Sequence, residues 1–128
     1  MKKPVLLIGA ILFVAAYTYA HEGHETSPSA SAKEITITGE VLDMACYIDH
    51  GATGPEHAPC AKTCIESGLP VGIKASDGKV YLLIGEHKPM NNQLVEYSGK
   101  TITVHGKAIS RDGFNMIENT EIAAQKAK

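Results

Sequence analysis

The sequence predicts a mainly β protein: a small five-stranded barrel with short helices and a cysteine- and histidine-rich loop-helix insert after the first strand. Three observations lead there. Apolar residues alternate with polar ones through several short stretches, which is the period of half-buried strands. Gly- and Pro-containing turns separate these stretches, and no segment supplies the long crossover that parallel neighbours need. Finally, all three cysteines and two of the six histidines fall in one stretch, residues 44–72, "MACYIDHGATGPEHAPCAKTCIESGLPVG".

The elements follow in order. In "EITITGEVLDM", Ile35, Ile37 and Val41 alternate with polar neighbours, and Gly39 sits where a bend or bulge is often found. The cysteine stretch opens as a loop containing Gly51, Gly54, Pro55 and Pro59. Pro59 suits the first position of a helix running from about Cys60 to Ser67, which Gly68 ends and Pro70 prevents from continuing. "VGIKASDGKVYLLIG" reads as two strands around an Asp77-Gly78 turn. "HKPMNNQLVEYSG" reads as a short helix with Leu94, Val95 and Tyr97 partly buried, and "KTITVHGKAIS" and "FNMIENTEIA" as two more strands joined at Arg111, Asp112 and Gly113.

Outside the barrel, taken as residues 35–123, the chain divides into three further segments. Residues 1–20 have the build of a secretory signal peptide: Lys2 and Lys3, an apolar run from Pro4 to Ala16, and "YTYA" with small residues before the cut. The run is shorter than the ~20 residues that span a bilayer, so no stable membrane insertion is expected after cleavage, and the destination is periplasmic or secreted. Residues 21–34, rich in Ser, Ala, His and Glu, lack the apolar side chains that would offset the entropy of ordering and read as a flexible tether. His21, if it becomes the first residue, has an amino group and a ring that chelate Cu2+, with His24 close behind. Residues 124–128 read as a frayed tail. A formal charge of −2, no Trp and two Phe argue against nucleic acid as a partner.

The stretch "GKTITVHGKAISRDGFNMIENTEI" resembles the last two strands of many exported bacterial OB-fold domains, with a Gly-Lys entry, a strand passing through a Gly, an Asp-Gly turn and a final strand. That resemblance implies an OB-like barrel and no activity, because the fold hosts many functions. A second resemblance rests on Gly39 to Asp43, Cys46-Tyr47, His57-x-x-Cys60-Ala61-x-x-Cys64 and Gly68-x-Pro70. This pattern is similar to that of a group of uncharacterised exported bacterial proteins with OB-like folds. It implies that Cys46, His57, Cys60 and Cys64 act as one unit and names no ligand.

The chemistry of that unit can be read from spacing. Cys60 and Cys64 lie one helical turn apart on one face, with α-carbons about 6 Å apart, so both thiols can point at one place. A disulfide between them would strain a regular helix, whereas joint metal coordination would not. His57 precedes the helix by one turn, and Cys46 comes from the end of the first strand. Cys46, His57, Cys60 and Cys64 are therefore the expected metal ligands, a Cys3His set that suits Zn2+ in a structural role or Cu(I) in a metal-handling one. Met44 and Met90 could add thioethers, although packing is their commoner use. Another periplasmic protein is a further candidate partner.

Two other functions stay open at this level. A disulfide from Cys46 to Cys60 or to Cys64 would make the chain a stapled OB-like binding module for a protein or small ligand. Thiol-disulfide redox chemistry is the third reading, weakened by a Cys-x3-Cys spacing where redox pairs usually have Cys-x-x-Cys. His50 is expected as a surface loop residue, and His87 and His105 as polar-face residues. Asp43 and Asp49 are candidates for an acid-base pair, but no nucleophile or phosphate cradle accompanies them, so enzyme activity has no positive support.

Overall fold

The computed structural model describes residues 32–123. The signal-peptide and frayed-tail segments, most of the tether, and His21 and His24 lie outside the described residues. Five strands, β1 (Lys33–Asp43), β2 (Val71–Ala75), β3 (Val80–Leu83), β4 (Thr101–Arg111) and β5 (Phe114–Ile122), close into a barrel in the order β1-β2-β3-β5-β4. All five correspond to the strands expected from alternation. β1 pairs with both β2 and β4 in antiparallel register, Val41 facing Ile73 and Ile37 facing Val104, and a short parallel pair, Leu82 with Met116 and Leu83 with Ile117, joins β3 to β5. This is an OB-like barrel.

Inward residues of the strands make the core: Val41, Val71, Ile73, Leu83, Ile102, Val104 and Ile117 are all buried. Gly39 serves the barrel through close approach. A Cβ there would collide with the carbonyl of Lys74 on the paired strand, so only glycine lets β1 run between both neighbours. Between β3 and β4, helix α3 (Asn91–Leu94) and a 3-10 turn (Val95–Tyr97) cap one end of the barrel with Met90 and fully buried Leu94. Among the described residues no helix is long and apolar enough to cross a membrane.

The insert between β1 and β2 holds two helices, α1 (Met44–His50) and α2 (Ala58–Glu66). Only the second is expected from sequence, and it starts two residues earlier than Cys60. Its entry and exit lie side by side: Met44 N–H donates to the Pro70 carbonyl at 2.9 Å, and Asp43 pairs with Val71 as the last rung of the β1–β2 ladder. Ile65 of α2 is fully buried in the barrel core. Asn91 fastens the far end of α2, its Nδ2 donating to the carbonyls of Ile65 and Leu69, both at 2.8 Å. The Ile65 carbonyl lies in the last turn of α2 and also accepts from Gly68 N–H at 3.0 Å, while Leu69 lies in the exit loop, so one carboxamide ties helix and loop together.

Candidate metal centre

Helix α1 is short, and it forms because both ends are capped. The Asp43 carboxylate accepts from Ala45 N–H at 3.1 Å and from Cys46 N–H at 3.0 Å, and Gly51 ends the helix in the left-handed region (φ 73°), donating to the Tyr47 carbonyl. Asp43 is therefore a buried helix cap. Asp49, the other carboxylate weighed for acid-base work, is highly exposed and contacts His50 at 3.0 Å. The loop after α1 is drawn to the barrel where Gly54 N–H donates to Glu40 Oε1. His57 then stands at the N-cap of α2 with Pro59 in its first turn.

Each helix carries a pair of ligand-type residues four apart, Cys46 and His50 on α1 and Cys60 and Cys64 on α2. Residues four apart in a helix share a face, and the two faces meet. One ligand atom from each of Cys46, Cys60 and Cys64 lies within 4.8 Å of the others, and the same holds for Cys46, His50 and His57. The thiols expected to converge do so. His57 joins Cys46 and His50, and no group of this closeness contains His57 together with Cys60 and Cys64 among the described residues. His50 is not the bystander expected of a surface loop. It ends α1, with its ring centroid 5.4 Å from that of His57 at 65°.

All three cysteines are free thiols. Cys46 Sγ and Cys64 Sγ are 3.9 Å apart, nearly twice the ~2.05 Å of a disulfide. The same separation suits a shared ion. Bonds of ~2.3 Å from metal to sulfur place two sulfurs about 3.8 Å apart in a tetrahedral site and about 4.0 Å apart in a planar three-coordinate one.

The charges are arranged around Asp43. Burial alone would raise its pKa, but the hydrogen bonds from the Cys46 thiol and N–H, the Ala45 N–H and the Cys64 thiol together hold it below the usual carboxylate range. The Cys46 thiol is pushed up to about 12, first because it donates to that carboxylate, then through desolvation and the neighbouring Cys64. Burial chiefly raises Cys64 too, together with the charge of Asp43. A cation between the sulfurs would reverse this environment, since it favours the thiolates that Asp43 disfavours.

His57 has the least satisfied side chain of the site. Its Nε2 is buried and has no hydrogen-bond partner, while His50 Nδ1 lies 3.0 Å from Asp49 Oδ2. A cavity that His57 lines has a volume of about 10 Å³, near the lower limit for a single water. The other residues considered from sequence lie elsewhere. His105 meets Thr36 and Glu34 on the barrel surface, Met90 belongs to the core, and the Met44 thioether rests against Gly72. No protein-family model, curated sequence or solved structure shows a match to this chain.

Proposed function

We propose that this chain is a small exported protein that binds a thiophilic metal ion at its insert, with Cys46, Cys60 and Cys64 as the thiolate ligands; His57, which shares a close group with Cys46 alone of the three, stands outside that set. The observation that carries the reading is the convergence of three free thiols from two separately capped helices within 4.8 Å. Thiols gathered beside the Asp43 carboxylate are held protonated, and a bound soft cation offsets that by favouring the thiolates. Zn2+ and Cu(I) both accept such ligands. Cu(I) is the better fit, because a group of three donors satisfies a three-coordinate ion and leaves Zn2+ one ligand short.

The amino-terminal segment supports export to the periplasm or beyond, and the proposed role there is metal handling, with another exported protein as the exchange partner. The test is competition. Reduced protein titrated without oxygen against a chromophoric Cu(I) chelator, and separately against a Zn2+ indicator, gives both affinities. Cu(I) should be held more tightly than Zn2+, and Cys64→Ser should weaken Cu(I) binding at least 100-fold. Absence of binding, with one thiol reactive in the denatured and unreduced chain, would instead support a disulfide-stapled module.

A further inference from the structure

Two groups of donors meet at one sulfur. Cys46, Cys60 and Cys64 form the first, and Cys46, His50 and His57 the second. A single ion takes at most four of these five residues and would leave at least one donor without a task. The histidines are not placed as surplus. His57 Nε2 is buried and unpartnered, and His50 is oriented by a carboxylate at its Nδ1, the arrangement by which proteins commonly fix a ligating imidazole. Their rings converge edge to face at 5.4 Å. A thiolate sulfur has three lone pairs, so Cys46 has electrons for two metal bonds.

We propose that the insert binds two monovalent soft ions of the Cu(I) class, one held by Cys46, Cys60 and Cys64 and the other by Cys46, His50 and His57, with the Cys46 thiolate bridging them. This rests on the metal-binding reading above and extends it. Each ion is three-coordinate, a number that suits Cu(I), whereas two Zn2+ ions would each need a fourth donor. The charges balance closely. Three thiols release three protons as two singly charged cations enter, and the imidazoles bind neutral, leaving the cluster with one net negative charge.

The bridge makes Cys46 different in kind from the other two cysteines. Losing Cys60 or Cys64 damages one ion's shell, and losing Cys46 damages both. His50 is exposed at the end of α1, so its replacement does not strain the fold.

The test uses the full reduced chain carrying His21→Ala and His24→Ala, so that the terminal histidines take no part. Cu(I) is added without oxygen from a chelated stock, and native mass spectrometry counts the ions bound. X-ray absorption on the loaded protein reports the donor atoms and any metal-metal distance. Two ions per chain are expected, with mixed sulfur and nitrogen donors and a metal-metal scattering path. Either His50→Ala or His57→Ala should reduce the count to one, with sulfur donors only. Cys60→Ser should also reduce it to one, now with nitrogen donors retained, while Cys46→Ser should cost both ions. One ion in the parent chain, unaffected by either histidine change, would overturn the bridge and leave the single-ion reading standing. Two ions that persist in both histidine variants would overturn the assignment of the second shell. No ion at all would overturn both readings.

Discussion

The barrel and its insert are built on different physical terms. In the barrel, each strand has two hydrogen-bonded neighbours and the inward residues are aliphatic, so the ring is closed by its own ladders, with Ile65, Met90 and Leu94 completing the core from outside the strands. The insert, residues 44–70, buries only Met44, Ala61 and Ile65 among its apolar residues, and leaves Ile48 74 % exposed. At its centre, where a free-standing domain would have more aliphatic side chains, it has thiols and imidazoles. A segment this poor in core needs cross-links, and donors brought together from separate helices are where a metal can supply them.

The largest effects should come from truncating the core on either side of this divide. Ile73→Ala and Ile65→Ala should each lower stability by about 2–5 kcal/mol in urea denaturation, since both side chains are fully buried. Only Ile65→Ala should also weaken metal binding, because it loosens the anchor of α2, and equal loss of binding in the two variants would erase the distinction. Metal itself should come next. At 100 times its dissociation constant it should add about 2.7 kcal/mol to unfolding. Hydrogen exchange should show new protection in α1 and α2 and little change in β4.

Removing the cap of α1 should have a smaller effect. Asp43→Ala should cost about 1 kcal/mol in thermal unfolding, as loss of a helix cap does, and bring the Cys46 thiol down toward its ordinary value, read as faster alkylation at a fixed mildly alkaline pH. The pH dependence has a definite sign. Cys46 holds its proton more tightly folded than unfolded, so its contribution is complete below 9.0 and is lost as pH rises toward about 12. Denaturation midpoints should therefore fall across that range in the metal-free chain, and less steeply in Asp43→Ala. The smallest effect belongs to the ion pair between insert and cap, Lys62 with Glu96 at 3.4 Å. Both side chains are largely exposed, and Glu96→Ala should change stability by no more than about 0.5 kcal/mol.

The barrel was legible because its signals are local. Ile35, Ile37 and Val41 declare a period of two, Asp77-Gly78 a hairpin, and Gly113 a turn, and each signal is complete within a few residues. Helix α1 was not legible, because in "MACYIDH" the apolar Met44, Tyr47 and Ile48 span little more than one turn, too short to establish a period, and its clearer evidence is at its edges, an Asp43 cap and a Gly51 stop. Missing it made His50 a loop residue. Read as a capped helix, the segment shows Cys46-x3-His50 matching Cys60-x3-Cys64, which is the signal that would have found the second group of donors. The pairing of His57 with His50 rather than with Cys60 depends on how two helices cross, and linear spacing does not carry that information.

The hydrogen bond from Met44 to Pro70 also has an evolutionary consequence. Because the insert leaves and re-enters at the last rung of one antiparallel ladder, where Asp43 pairs with Val71, a plain hairpin turn in its place would join the same two strand ends, and the reverse event would install it in a single step. Topologically it is a cassette. Ile65 makes it less portable than the topology suggests, since excision would open a hole in the core that the host barrel must refill, and a new host must offer a matching pocket. Lineages that gained such a cassette would then have a reason to keep it that is independent of any ion it binds.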